Sequence, residues 1–161
     1  MSYNSAPGSA RLFRFSVPGL DDALAIPLGQ MMGVARLPFV TRIPCTPAAI
    51  LGLGRWQEQP VMVLDLAAIL APAGRPADLA PAEQLHMIAR TAFGEQVCLV
   101  ACPIRPGGQI INVPLKVPGA ALPDGLAAGV VHQAALIDGA PTLLIDLLRL
   151  PGLLAAGRAV G

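Results

Sequence analysis

A short unit that occurs twice constrains the fold of this chain more than any other feature of its sequence. Residues 60–66 are Pro-Val-Met-Val-Leu-Asp-Leu, and residues 141–147 are Pro-Thr-Leu-Leu-Ile-Asp-Leu. In each copy a continuous apolar run separates a proline from an aspartate, as is typical of a strand buried on both faces. The same spacing in both copies predicts that one device, a buried strand that leads into a short helix, is used twice.

An aspartate follows the apolar run in each copy, at Asp65 and at Asp146. The two residues could supply paired carboxylates for acid–base catalysis. Their matching position before a short helical segment favours N-caps instead, because a carboxylate there accepts hydrogen bonds from the exposed amides of the first turn. The residues directly before them, Leu64 and Ile145, are predicted to be buried at the ends of equivalent strands.

The segment that leads into the first copy is rich in glycine and then polar. Gly52 and Gly54 predict a turn, since glycine adopts backbone angles that other residues avoid. The polar run Gln57-Glu58-Gln59 predicts a bend before the strand at residues 61–64. We therefore expect a turn, a bend, a strand and a helix, in that order.

The composition predicts an all-β chain with a substantial core. Of the 161 residues, 54% are hydrophobic and 13% are charged, which argues against disorder. Seventeen glycines and seventeen prolines divide the chain into short elements. The length suits one domain or two small halves packed closely together. We expect roughly nine or ten short strands, and the duplicated unit indicates two small β-barrels in one chain.

Alternating apolar residues and turn signals locate these strands along the chain. Besides residues 61–64, the predicted strands are 11–17, 23–26, 85–92, 96–102, 110–113, 129–137 and 142–145. Residues 29–37 leave a helical turn and a strand open. The Asp138-Gly139 pair predicts a type I′ turn between the last two strands. Residues 11–155 are predicted to form the domain, with flexible tails at 1–10 and 156–161.

Charge and targeting signals exclude several classes of partner. The formal net charge is +1, so the chain has no electrostatic footprint for nucleic acid or for an anionic membrane. The apolar runs are too short to cross a bilayer, so direct membrane insertion is not expected. Three cysteines and no N-terminal signal segment indicate a reducing cytoplasm.

The residues that could carry catalysis or bind a metal do not form a constellation. His86 and His132 are isolated, which favours structural or surface roles. Cys98 and Cys102 are four residues apart, and no second ligand pair accompanies them, so free thiols are favoured over a zinc site. A small β-barrel that binds a metal or redox ligand through these two cysteines stays open as an alternative. We expect a protein that is not an enzyme and has no cofactor.

Around the first copy of the repeat, the chain resembles the CheW-like domain, a bacterial chemotaxis adaptor module. The pattern of that family is matched without a gap at Pro47, Ile50, Gly52, Asp65 and Leu66. Weaker similarity extends over nearly the whole chain, in the opening hairpin, in the strand pair around residue 94 and in the closing Asp-Gly hairpin. The order of these matches carries the resemblance.

The chain departs from the family pattern at several positions. The family's Arg-Gly pair falls on Gln57 and Glu58, and its preceding Asn falls on Arg55. Its central Pro falls on Met62, and an acidic residue common after the second strand falls on Gly33. Because the Arg-Gly turn is associated with partner contacts, these departures indicate altered contacts at this turn.

The resemblance implies a fold of two intertwined five-stranded β-barrels and a non-catalytic scaffold role without a cofactor. Its implied partners are a CheA-type histidine kinase and the cytoplasmic tip of a chemoreceptor. The implied partner-binding residues are Met31, Val34, Gly52, Gln57 and Glu58. For Gly52 two interpretations compete: a turn glycine, or a position whose missing side chain lets the backbone of a partner approach beside exposed atoms of Met31 and Val34.

Overall fold

Two five-stranded sheets account for most of the chain. The computed structural model describes residues 8–44, 46–71, 84–93, 95–114, 119–122 and 131–150. Its strands are β1 (Ser9–Phe15), β2 (Ala23–Pro27), β3 (Met31–Arg36), β4 (Ile50–Trp56), β5 (Gln59–Leu64), β6 (Leu85–Phe93), β7 (Gln96–Ile104), β8 (Gln109–Pro114), β9 (Val131–Ile137) and β10 (Ala140–Ile145). Helix α1 (Leu66–Leu70) follows β5, and 3-10 turns occur at Leu28–Gln30 and Leu147–Arg149. The expected mostly-β chain of short strands is confirmed.

The strand order shows that the two halves of the chain are interlocked. Sheet I has the order β8-β1-β2-β10-β9, and sheet II has the order β3-β6-β7-β5-β4. Strands β1–β5 and β6–β10 correspond one to one, and each sheet takes two strands from one half and three from the other. One parallel pairing occurs in each sheet, between β2 and β10 and between β5 and β7.

Each sheet curls until the segment after one edge strand reaches the opposite edge strand. In sheet II, Thr41 and Leu53 exchange two backbone hydrogen bonds of 2.8 Å, which connect the chain after β3 to β4. In sheet I, Gly119 pairs with Ala135, and the Ala120 amide donates to the Ala134 carbonyl at 3.0 Å. In both sheets, the segment after one edge strand therefore pairs with the opposite edge strand and brings the two edges together. Full closure into barrels stays a prediction.

The main core lies between the two sheets. Its buried side chains come from both of them: Phe13, Phe15, Leu24, Ile26, Leu143 and Ile145 from sheet I, and Leu64, Met87, Ala89, Val100, Cys102 and Ile104 from sheet II. A smaller cluster covers the other face of each sheet, around Val113 and Ile137 in sheet I and around Val63 and Ile88 in sheet II. Each sheet is therefore buried on both faces along its central strands.

The repeated unit takes the form that its spacing predicts. Leu64 ends β5 and is 0% exposed, and Ile145 ends β10 and is 2% exposed. A carboxylate oxygen of Asp65 accepts from the Ala68 amide at 3.2 Å, and one of Asp146 accepts from the Leu148 amide at 3.0 Å. Both aspartates are N-caps, as predicted.

The second cap is also tied to the start of β3. The Gln30 side-chain amide donates to Asp146 at 3.2 Å, and its carbonyl oxygen accepts from the Leu147 amide at 3.3 Å. Gln30 directly precedes β3 of sheet II, whereas Asp146 directly follows β10 of sheet I. These hydrogen bonds connect the end of β10 in sheet I to the start of β3 in sheet II.

One predicted element is wrong, and one ambiguity is resolved. The glycine-rich segment at residues 50–54 is not a turn but part of strand β4, which pairs with β5 through a bulge between Ile50 and Gly52. Residues 28–36 form a 3-10 turn and then strand β3, so both possibilities occur in sequence. Strand β1 begins at Ser9, inside the predicted tail, whereas the outer parts of both predicted tails lie outside the described residues.

None of the helices within the described residues is long and apolar enough to cross a membrane.

Truncating the strand-end residues should test whether the two copies of the repeat contribute equally to the free energy of unfolding. Leu64→Ala and Ile145→Ala should each lower the free energy of unfolding by ~2–5 kcal/mol, because each leaves a cavity in the core between the sheets. Urea unfolding followed by circular dichroism measures the loss. Leu136→Ala, at a residue that is 38% exposed on β9, is the matched control and should cost less than ~0.5 kcal/mol. A loss under ~1 kcal/mol at both core positions would contradict the equivalence of the two units.

Candidate functional site

Most of the predicted partner-binding residues lie toward one end of sheet II. Because β5 runs parallel to β7, the β4–β5 hairpin and the β6–β7 hairpin point in the same direction. Strand β3 is antiparallel to β6 and therefore begins at that end as well. The topology thus brings Met31, at the start of β3, to the same end as Gln57 and Glu58, at the tip of the β4–β5 hairpin.

The tip of this hairpin consists of two residues with left-handed backbone angles. Gln57 has a φ of 47° and Glu58 a φ of 64°. Positive φ at both central residues is the requirement of a type I′ turn, whose twist matches that of the strands. Both side chains are exposed. Where the family pattern has Arg-Gly, this chain presents two polar side chains from a type I′ turn, and Glu58 adopts an angle that favours glycine.

Strand β3 presents alternate residues to solvent. Met32 is 38% and Val34 is 43% exposed, whereas Met31 is half-buried and packs against the main core. The Arg90 guanidinium on the neighbouring strand β6 donates to the Met32 sulfur at 2.9 Å. Val34 is therefore a surface residue, as its predicted role requires. The Met31 side chain is partly packed against the core and partly accessible to solvent.

Gly52 is buried, which favours a structural role over a direct partner contact. It lies at the bulge in β4, with a φ of 152°. A Cβ atom at this position would lie 2.8 Å from the Thr41 carbonyl carbon and 3.0 Å from a methyl carbon of Val40. The backbone that approaches Gly52 closely belongs to the chain itself, in the segment that connects the two edges of sheet II. The geometry therefore favours a structural role for this glycine, in a strand and not in a turn.

The two cysteines do not form a ligand pair. They lie four residues apart on β7, a separation of about 13 Å along a strand. Cys98 is half-buried, and Cys102 is fully buried. Burial, with a smaller contribution from the Asp65 carboxylate, raises the pKa of the Cys102 thiol to about 12. A thiol of this kind resists the deprotonation that metal binding and redox chemistry need, so the geometry favours free thiols over the metal or redox alternative.

The histidines also fit the structural and surface roles that their isolation favours. His86 is 3% exposed, and its Nδ1 lies 3.1 Å from the Gln84 carbonyl oxygen. Burial lowers the pKa of His86, against the opposing effect of this hydrogen bond. His132 is exposed on β9. Within the described ranges, no group of three or more His, Cys, Asp or Glu side chains could hold a metal ion.

Sequence reasoning missed three apolar side chains beside this end of sheet II. Phe39 is 82% exposed, and Leu53 is 44% exposed. Trp56 is half-buried, with its ring 3.6 Å from the position that a Cβ of Gly33 would occupy. The three residues lie on the segment and the strand that meet through the Thr41–Leu53 bridge. Only a knowledge of that pairing could have grouped them, because their spacing in the sequence follows no helix or strand period.

Comparison with known proteins agrees with this architecture. The CheW-like domain family matches residues 12–153. Among solved structures, the chain is similar to the scaffolding protein TtCheW from Thermoanaerobacter tengcongensis, with a TM-score of 0.67 and 15% sequence identity. That similarity covers 91% of this chain and 89% of the other, and at this identity it shows the fold. No curated protein matches the chain.

The family match spans most of the chain, and the two interlocked sheets share their fold with that solved structure. The chain belongs to the CheW-like domain family.

Replacing Gly52 should therefore affect folding. Gly52→Ala should lower the free energy of unfolding by more than ~1 kcal/mol, because the added methyl group meets the Thr41 backbone at a φ that side chains disfavour. Gly33→Ala is the control: it lies on the other edge strand, and its Cβ would make only an ordinary contact of 3.6 Å with Trp56. Urea unfolding of both variants measures the difference. A Gly52→Ala protein as stable as the parent would return Gly52 to the candidate partner contacts.

Thiol titration should separate the two cysteines. The third cysteine of the chain, Cys45, is replaced by serine so that only these two thiols react. In this Cys45→Ser background, Ellman's reagent should modify Cys98 in the native protein and Cys102 only after unfolding, because the thiolate is the reacting species. Absorbance at neutral pH follows the reaction, and metal analysis of the same sample accompanies it. Rapid modification of Cys102 in the folded protein, or stoichiometric metal that both cysteines protect, would revive the metal or redox hypothesis.

Proposed function

We propose that this protein is a non-catalytic cytoplasmic signalling adaptor that couples the cytoplasmic tips of chemoreceptors to a CheA-type histidine kinase. The observation that carries the proposal is the CheW-like domain over residues 12–153. The similarity to the scaffolding protein TtCheW supports the same role. In such an adaptor the chemistry occurs in the kinase, and the contribution of this chain is to hold two partners in a fixed arrangement.

The fold is suited to this task because its sheets are rigidly connected. Each sheet contains strands from both halves of the chain, and one apolar core fills the space between the sheets. Two surfaces on such a module keep a constant separation and orientation. A displacement of one partner is then transmitted to the other as a movement of the whole adaptor.

We assign the two contacts to separate features of sheet II. Val34, with the part of the Met31 side chain that is not packed against the core, suits the apolar helical tip of a receptor, since exposed apolar patches commonly mark protein contacts. The β4–β5 hairpin, with Gln57 and Glu58 at its tip, suits a barrel of the kinase. Gly52 supports this surface from within, because it allows the edges of sheet II to meet.

The altered turn gives the kinase contact a different chemistry from the family pattern. Glu58 brings a carboxylate to a position where the family has glycine, and Gln57 has neither the charge nor the forked donor of arginine. A kinase that binds this adaptor is therefore expected to present a hydrogen-bonding or basic group to the turn. Such a change would give this adaptor a preference for its own kinase.

The test is reconstitution with the CheA-type kinase and a receptor cytoplasmic fragment from the same organism. Titration should show that the adaptor binds both together, and kinase autophosphorylation should rise when all three are present. Val34→Asp should weaken receptor binding by about tenfold or more, because it places a charge in a desolvated contact. Gln57→Ala should have a small effect, because the arginine of the family is already absent there.

Leu136→Asp is the control for Val34→Asp, since it places the same charge on a similarly exposed residue of sheet I. Melting curves of each variant separate a loss of binding from a loss of folding. A parent protein that binds neither partner would overturn the proposed function. Binding that Val34→Asp leaves unchanged would remove β3 from the receptor contact.

A further inference from the structure

The outer surface where the two edges of sheet II meet, which we call the seam, combines exposed apolar side chains with arginines. At the seam, β3 contributes Met32, Val34 and Arg36, β4 contributes Leu53 and Arg55, and the segment between them contributes Phe39. The seam can close tightly because Gly54 lies behind it, where a Cβ would come within 2.9 Å of the Leu37 side chain. The side chains of both edge strands therefore project from one continuous surface.

The register of the bridge places Phe39 next to an arginine. Thr41 pairs with Leu53 in antiparallel fashion. Phe39 precedes Thr41 by two residues and Arg55 follows Leu53 by two, so extending the antiparallel register of this isolated bridge sets Phe39 opposite Arg55, on the face that Thr41 and Leu53 share. All four are exposed, Phe39 by 82% and Leu53 by 44%. Phe39, the most exposed aromatic side chain among the described residues, therefore lies on the same surface as an arginine.

The charge at the seam has one sign. Residues 31–56 contain three arginines, Arg36, Arg42 and Arg55, and no aspartate or glutamate, in a chain whose net charge is only +1. Of these, Arg36 and Arg55 lie on the seam itself, and Arg90 of β6 adds a third guanidinium through its contact with Met32, whereas Glu58 lies outside the seam at the tip of the β4–β5 hairpin. The segment that builds the seam is therefore locally basic and apolar.

The corresponding surface of sheet I differs in this respect. Strands β8 and β9 occupy the same positions in sheet I as β3 and β4 in sheet II. They carry exposed apolar residues, Ile110 and Leu136, but their sequences QIINVP and VHQAALI contain no arginine and no lysine. On the edge strands themselves, arginine therefore occurs in sheet II and not in sheet I, although β1, the neighbour of β8, carries Arg11 and Arg14 as β6 carries Arg90.

We propose that the seam is a docking surface for an acidic, apolar helical segment of a partner protein. Arginine forms paired hydrogen bonds with carboxylates, and the apolar side chains between the arginines would bury a matching apolar stripe. A second copy of this chain is a poor occupant, because a two-fold contact through the seam would set arginine against arginine. The seam includes Val34, which the proposed function assigns to the receptor contact. The inference therefore specifies the chemistry of that partner and rests on the proposed function.

Two synthetic helical peptides test the chemistry directly. Both carry the same leucine stripe, flanked by glutamates in one and by lysines in the other. Trp56 is the single tryptophan of the chain and lies beside the seam, so its fluorescence reports binding without a label. The glutamate peptide should bind about tenfold or more tightly than the lysine peptide at low salt, and raised salt should reduce the difference.

Charge reversal then locates the binding. An Arg36→Glu/Arg55→Glu variant should lose the preference for the glutamate peptide, and Phe39→Ala should weaken binding of that peptide. Arg105→Glu, which reverses an exposed charge at the end of β7, should leave the preference unchanged. Four outcomes would each overturn the proposal: equal binding of the two peptides, no binding of either, a preference that survives the double variant, and binding of anionic lipid vesicles in place of the peptides. Concentration-dependent dimers that the double variant abolishes would overturn it in favour of self-association.

The peptides contain no receptor or kinase sequence, so the two proposals can fail separately. Receptor and kinase binding without any peptide preference would overturn the acidic-partner inference alone. A peptide preference in a protein that binds neither receptor nor kinase would overturn the proposed function and leave the chemistry of the seam intact.

Discussion

The burial of two apolar sheet faces against each other is the interaction on which the rest of this structure depends. Leu24 and Leu143 from sheet I meet Leu64, Met87 and Val100 from sheet II in one core. The surface features described above are all positioned by that contact. The hydrogen bond between Gln30 and Asp146 connects the start of β3 in sheet II to the end of β10 in sheet I, so it depends on the packing of the two sheets.

Local chemistry was sufficient to predict much of the fold. The apolar runs located β6 and β7, and the matching Pro-to-Asp spacing identified two strands and two N-caps. The Asp138-Gly139 pair predicted its turn, and both residues have positive φ, of 52° and 75°. Each of these features depends on residues within a few positions of one another, so a single sequence contains the information for it.

The features that the sequence did not reveal depend on distant pairings. The glycine-rich residues of β4 have weak strand propensity on their own, and they form a strand because β5 and the segment around Thr41 pair with it on either side. For the same reason the role of Gly52 could not be decided in advance, since its nearest neighbours are eleven and twelve positions earlier in the chain. The grouping of Phe39 with Leu53 required the same bridge, whereas the exposed positions of Val34, Gln57 and Glu58 agreed with the resemblance.

The exchange of strands between the two halves has a consequence for how the molecule can come apart. Residues before α1 supply two strands of sheet I and three of sheet II, so a fragment that ends at α1 would complete neither sheet. The ladders between β2 and β10 and between β5 and β7 each join strands from the two halves of the chain within one sheet. Separating the two sheets would leave these ladders intact, whereas separating the two halves would break them. Two domains joined by a linker can rotate independently, but here the covalent path crosses from sheet to sheet after β2 and again after β7. We therefore expect the two sheets to unfold together and to be constrained together in evolution, because a change that weakens one half of the chain weakens both sheets at once.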